Sequence, residues 1–397
     1  LSKKPVLQPN KQGWNSNNHQ NRRLNSSTMK HYILCMVLLL LISSSEISAQ
    51  QSYSDVSLEE KIGQMLIMGF RGSDVNEGNP IHRDITELNI GGVVLYDSDI
   101  SQGGKARNIQ SPSQLKLLTK NLKELSEQPL LIAVDQEGGK VRRLKPSDGF
   151  PKTRSHAILG GRDNEELTPD EATKIAETLN ESGINLNFAP VVDLRLESDN
   201  KIITALNRSF GKDPDLVAKH AGIYIDVHNE NSVLTTLKHF PGYGSFNGAT
   251  YNGISDVTQT WQRVELDPYK ELINNGTADA IMVSLIYNGQ LDEKYPATMS
   301  KATVDELLRN QMGFDGLVIA ESPQNENIRD QYGFETALKL TINAGADMIQ
   351  FANNTWYQPD IAQRVIDTVT RMVENGEIPE ERINEAYGRI MEFKNRL

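Results

Sequence analysis

The chain has 397 residues, 38% hydrophobic and 23% charged, with a formal net charge of −11. Those proportions suit a soluble globular protein with room for one large or two ordinary domains, and the acidity disfavours nucleic acid and anionic membranes as partners. Cys35 is the single cysteine, which excludes a disulfide framework or a cysteine-ligated metal.

Residues 1–28 are polar and patternless, and Met29 is a candidate start. Met29–Ala49 (MKHYILCMVLLLLISSSEISA) has a basic start, an apolar run Tyr32–Ile42 and small residues before Gln50, the pattern of a secretory signal peptide. The run is short for a membrane span, and an uncleaved anchor helix is the alternative. Cys35 lies inside the run rather than behind it, which argues against lipid modification. Without residues 1–49 the chain keeps 35 basic and 51 acidic residues, a net −16. The expectation is an exported protein, periplasmic or extracellular, whose mature part at residues 50–397 is one domain without a membrane span.

From Val56 onward, strand-like and helix-like segments alternate. Eight short apolar runs are Met65–Phe70, Gly92–Tyr96, Leu130–Val134, Ile184–Ala189, Val233–His239, Ala280–Ile286, Leu317–Ala320 and Met348–Phe351. They are rich in Val, Ile and Leu without polar alternation, as strands buried on both faces are. Amphipathic stretches lie between them, at Ser113–Ser126, Pro169–Ser182, Asp215–Asn229, Val304–Gln311 and Gly333–Ala344. Asp360–Asn375 and Pro379–Leu397 read as closing helices. This alternation predicts an α/β fold with a parallel sheet, a (β/α)₈ TIM-type barrel in preference to a doubly wound open sheet.

Barrel enzymes place their chemistry at the C-terminal ends of the strands. Asp135-Gln136-Glu137-Gly138-Gly139, Arg142 and Arg143 follow the third run, and Asp193 and later Arg208 follow the fourth. The fifth delivers Lys238 and His239, and the seventh Glu321. Asp accepts hydroxyl hydrogens while Arg and Lys donate to hydroxyl and carbonyl oxygens, so the set suits a hydroxyl-rich ligand. Asp135, ending a buried strand, is costly unless something pairs with it. Asp193 is alternatively a turn cap or ion-pair partner, and Arg208 alternatively anchors its loop through a buried ion pair. Neighbours in a regular strand face opposite sides, so Lys238 and His239 both reach the axis only if a bulge or the strand end at Pro241 intervenes. His82, His156, His220 and His228 fall in helices or loops and read as surface or packing residues.

The motifs SLEEKIGQMLIMGFRG (Ser57–Gly72), VDQEGGKVRRL (Val134–Leu144), NFAPVVD (Asn187–Asp193), NRSFG (Asn207–Gly211), KHFPGYGS (Lys238–Ser245) and INAGADMIQFANN (Ile342–Asn354) resemble glycoside hydrolase family 3, in its single-domain β-N-acetylhexosaminidase branch. The resemblance spans nearly the whole mature chain. It implies a barrel, no cofactor or metal, and a ligand with β-linked N-acetylglucosaminyl units of peptidoglycan or chitin type. It also implies sugar-binding roles for Asp135, Arg143, Arg208, Lys238 and His239, all of which are present.

The catalytic positions depart from that pattern. The branch uses an Asp nucleophile after the seventh strand, in a segment like VISDD; here Val318-Ile319-Ala320-Glu321-Ser322 puts Glu321 in its place. The Asp and His that serve as acid/base in the loop after the fifth strand correspond to Ala249 and Tyr251. Two further family histidines correspond to Tyr243 and Leu285. Three functions follow: a sugar-binding pseudoenzyme, an active retaining hydrolase with Glu321 as nucleophile, or a scaffold for a partner. For the second, Tyr251, Tyr243, Glu326 or Asp256 are the acids to be considered.

Overall fold

All eight apolar runs become sheet in the computed structural model, which describes residues 55–397 apart from Glu165. The expected signal segment Met29–Ala49 lies outside the described residues. The main strands are β1 (Leu66–Gly69), β2 (Gly92–Val94), β3 (Leu131–Val134), β4 (Leu186–Asn187), β5 (Leu234–Thr235), β6 (Leu237–Phe240), β7 (Ala280–Val283), β8 (Leu317–Glu321) and β9 (Met348–Phe351). They form one sheet in the order β5-β4-β3-β2-β1-β9-β8-β7-β6, with every pairing parallel.

The two ends of that order, β5 and β6, are consecutive in the chain with only Thr236 between them. Val191, beyond β4, also bridges in parallel to Lys238 of β6. The ring therefore closes through the fifth apolar run, as a barrel and not an open sheet. That run, expected as one strand at Val233–His239, is two. The sixth run, expected to reach Ile286, stops at Val283, and Ile286–Tyr287 joins a small separate sheet with Thr250–Tyr251 and Ile254–Asp256.

The helices start where backbone donors find a side-chain acceptor and Pro follows. Asn79, Ser111 and Asp213 each cap a helix whose next residue is Pro80, Pro112 or Pro214, a position that needs no N–H. In the helix Pro112–Leu125, Leu115, Leu118, Thr119 and Leu122 are buried, a three-and-four spacing that turns one stripe to the sheet. His156, His220 and His228 are buried too, so they are packing residues; His156 lies 4.2 Å from the Phe210 ring and His228 4.1 Å from Tyr224. Burial pushes His156 down to about 4 and His228 to about 3, so both are neutral at physiological pH.

The end of the barrel at the strand N-termini is fixed by charge. Asp347, fully buried just before β9, accepts from Val318 N and pairs with Arg309 and Arg382 at 2.6 Å each and with Arg389 at 3.4 Å. Removing one partner from a buried ion network leaves the others desolvated and uncompensated. Asp347→Ala is expected to destabilise the fold by about 3–5 kcal/mol in urea unfolding, with ligand affinity of the folded fraction unchanged, since this end lies away from the strand ends that carry Asp135 and Glu321.

Candidate functional site

At the C-terminal ends of the strands lies a cavity of about 680 Å³, lined among others by Asp135, Arg143, Arg208, Lys238, His239, Tyr243, Leu285 and Glu321. Its wall after β3 is shaped by Gln136. The Gln136 carboxamide oxygen accepts from Arg143 N at 2.9 Å and Leu144 N at 3.0 Å, which folds the loop back and brings the Arg143 guanidinium to 3.2 Å from Asp135. Gly138 permits that fold: its φ is +99°, and a Cβ there would stand 2.3 Å from the Arg154 carbonyl oxygen. Arg142 turns away and donates to the Gly139 carbonyl.

Lys238 sits between two carboxylates, 2.8 Å from Asp135 Oδ1 and 2.8 Å from Glu137 Oε1. Glu137 in turn takes a two-point hydrogen bond from Arg208, Nε to Oε2 at 2.8 Å and Nη2 to Oε1 at 2.7 Å. Arg208 Nη2 also lies 2.9 Å from His239 Nε2. Guanidinium can only donate, so Nε2 accepts and the ring proton sits on Nδ1, 2.6 Å from Asp193 Oδ2. Asp193 Oδ1 accepts from Tyr243 N at 2.7 Å. One chain of contacts thus runs Arg143–Asp135–Lys238–Glu137–Arg208–His239–Asp193, with three cations matched by three carboxylates and a neutral imidazole.

Lys238 and His239 both line the cavity because β6 is bulged: Leu237 pairs with Ile281 and Phe240 with Val283, three steps on one strand against two on the other. Burial alone opposes ionisation of Asp135 and Glu137. The charges of Lys238 and Arg143 outweigh it and hold Asp135 at about 2, and Lys238 and Arg208 hold Glu137 well below the usual range. Burial likewise works against the Arg208 charge, but Glu137 keeps that side chain firmly protonated. At neutral pH the site presents fixed charges and an acceptor carboxylate.

Glu137 carries a pairing role that the sequence pattern did not single out. The desolvation argument applied to Asp135 holds equally for a carboxylate two residues further along the same strand exit. Arg208 makes the buried ion pair weighed for it and also lines the cavity. Asp193 is buried as both loop cap and histidine partner.

Glu321 lines the cavity at the end of β8, and its Oε2 accepts from Leu285 N at 2.7 Å. Tyr251, in contrast, is not brought to the cavity. It is 37% exposed and stacks on Tyr287 with ring centroids 4.0 Å apart, because the chain turns outward after Phe246 into the hairpin Thr250–Tyr251/Ile254–Asp256. Ala249 is exposed on the same excursion. Asp256 caps Thr258 N at 2.8 Å, Glu326 opens a helix, and neither lines the cavity. Tyr243 does, but its hydroxyl is engaged with Ser255, and burial pushes it up to about 12.

Residues 57–393 match the glycosyl hydrolase family 3 N-terminal domain. The chain belongs to glycosyl hydrolase family 3. A beta-hexosaminidase of Tolumonas auensis is 33% identical over 270 residues, 67% of this chain and 76% of that protein. The solved β-N-acetylglucosaminidase of a Paenibacillus species is 30% identical with a TM-score of 0.77, over 86% of this chain and 62% of that longer one. The β-N-acetylhexosaminidase of Beutenbergia cavernae is 27% identical with a TM-score of 0.73, over 86% of this chain and 99% of that one. These similarities agree with the branch that the motifs resemble.

The loop of this family 3 barrel that carries Lys238 to Ser245 is held from below by Glu265. Its Oε2 accepts from Gly244 N at 2.9 Å and Ser245 N at 3.3 Å. Burial raises Glu265 from 4.5 to about 7. Between those values the folded state keeps a proton that the unfolded chain has released. The stability contributed by this group is therefore full below about 4.5 and lost as pH rises to about 7, a loss of up to ~3 kcal/mol. Glu265→Gln is expected to remove that component, so that the difference in unfolding free energy between variant and wild type changes steadily across this window and is flat above it, read by urea unfolding at a series of pH values.

Proposed function

We propose that this chain is an exported sugar-binding member of the family that holds a β-linked N-acetylglucosaminyl unit without appreciable hydrolysis. In this proposal Asp135 accepts ring hydroxyls, Arg143, Arg208 and Lys238 position hydroxyl and N-acetyl oxygens, and His239 acts on the ligand through Arg208, whose Nη2 it holds. Residues 29–49 act as the signal peptide of an exported domain beginning near Gln50. Among the described residues no helix is long and apolar enough to cross a membrane.

One observation carries the proposal: among the described residues, the cavity gathers the proposed binding residues but no group free to protonate a leaving oxygen. Retaining hydrolysis needs a nucleophile and an acid/base about 5 Å apart. Among the described residues lining the cavity, the carboxylates are Asp135 and Glu321. Asp135 is ionised and committed to Lys238 and Arg143. His239 has both ring nitrogens occupied, and Tyr243 holds its proton too tightly to serve at neutral pH. A missing general acid typically costs about 10²–10⁴ in rate.

A second proposal, slow retaining hydrolysis through Glu321, draws on the placement of that carboxylate in the cavity with Leu285 N fixing one oxygen. Its extra methylene relative to Asp displaces the attacking oxygen, and a shift of about 1 Å can cost on the order of 100-fold.

Titration calorimetry with N-acetylglucosamine and turnover of an aryl β-N-acetylglucosaminide separate the two. The expected result is binding without release of the aryl group, with affinity lost in Asp135→Ala and kept in Glu321→Gln. Release that disappears in Glu321→Gln would establish the second proposal instead, and absence of binding at millimolar sugar would remove the first.

A further inference from the structure

Tyr251 and Trp356 are the exposed large aromatic side chains among the described residues, at 37% and 38%. Singly exposed apolar residues are ordinary. These two differ in how they are held. One face of Tyr251 is backed by Tyr287, nearly parallel at 13°. One face of Trp356 is backed by the Arg329 guanidinium, 3.7 Å above the ring. Each ring is thereby fixed while a large part of it stays in water.

The short helix Glu326–Tyr332 bears on both rings. That helix supplies Arg329 directly. It also pins the hairpin bearing Tyr251: Asn327 Nδ2 donates to Gly253 O at 2.9 Å and Gln331 Nε2 to Asn252 O at 2.7 Å. The helix begins at the cavity itself, since its capping residue Asn325 is part of the lining, as are Gly253 beside the first ring and Thr355 next to the second. The rings therefore stand on the two loops that continue the cavity wall outward.

We infer that Tyr251 and Trp356 form a stacking platform for further sugar rings of a β-linked N-acetylglucosamine oligosaccharide whose end unit occupies the cavity. The inference rests on the sugar-binding proposal above and deepens it: the ligand is a chain, not a free monosaccharide. The faces of a β-linked pyranose carry axial C–H groups, while its hydroxyls and amide project around the edge. A rigid aromatic ring matches such a face by dispersion and weak C–H contacts, at little cost in side-chain entropy. The platform also accounts for a large aromatic at position 251 in place of a proton-transfer group: the ring is used for area, outside the cavity.

The test is titration calorimetry of the full chain with N-acetylglucosamine and with its β-1,4-linked tetramer, on wild type, Trp356→Ala, Tyr251→Ala and the double variant. The tetramer is expected to bind wild type at least about tenfold tighter than the monosaccharide, and each single variant to lose about three- to tenfold of that advantage while monosaccharide affinity is unchanged. Trp356→Phe, which keeps a ring, should retain most of it. Circular dichroism checks that the variants fold. A tetramer no tighter than the monosaccharide, or an advantage that survives in the double variant, overturns the platform while leaving the cavity proposal standing. Tetramer binding that needs Trp356 and Tyr251 without any monosaccharide binding overturns the cavity proposal, and with it the placement of the end unit, leaving the two rings as a sugar-binding surface by themselves. If neither sugar binds, both fall.

Discussion

Lys238 is the hinge of this molecule's chemistry. Its side chain is 2% exposed, and its ammonium stands between Asp135 and Glu137, at 2.8 Å from each. A buried cation or carboxylate costs several kcal/mol to desolvate unless it is paired and hydrogen-bonded. Here each charge is compensated by the next, from Arg143 through to Asp193, so none can move without uncovering another. Such a chain makes the cavity wall rigid in precisely placed donors and acceptors without any bound ligand. It also draws on three separate strand exits, those of β3, β4 and β6, which ties the barrel's closure through β5 and β6 to the geometry of the site.

That coupling shows why sequence exposed some of the site and concealed the rest. Strands buried on both faces read as unbroken apolar runs, so the eight-fold repeat and the residues leaving each run were plain. Asp135, Lys238, His239 and Glu321 were visible as polar residues at strand ends, and Arg208 as a charged residue further along the fourth loop. Glu137 was not singled out because its partner Arg208 is 71 residues away, and only the fold brings the two together. The bulge that lets Lys238 and His239 face the same way depends on the register against β7, a property of a pair of strands. The break at Thr236 hid for the opposite reason, since Thr235 and Thr236 suit a strand and nothing local marks a stop.

The outward hairpin is a milder case. Asn252-Gly253, both at positive φ, is a strong hairpin signal, and its presence places Tyr251 on a strand rather than in a loose loop. Alignment to a family motif assigned Tyr251 a place in the chemistry by counting residues. The hairpin pairing and the contacts from Asn327 and Gln331 carry it elsewhere. Counting residues conserves order along the chain, but not distance from a substrate.

The binding network and the loop that departs from the family pattern are supported independently. Lys238 to Ser245 is gripped by Asp193 and Glu265, two buried carboxylates that accept the loop's own backbone N–H groups. Residues from Asn247 to Asn252 are exposed and contribute nothing to that grip. Changing Asp to Ala at position 249, or His to Tyr at position 251, therefore uncovers no buried charge and opens no cavity in the core, the two events that make substitutions costly. The same is not true of Asp135, Glu137, Arg208 or Lys238, each of which would strand a buried partner. On the proposed reading, a family 3 barrel sheds its proton-transfer groups at almost no cost in stability while the charges proposed to face the sugar stay locked in place, and the hairpin carries a different side chain for the proposed different use.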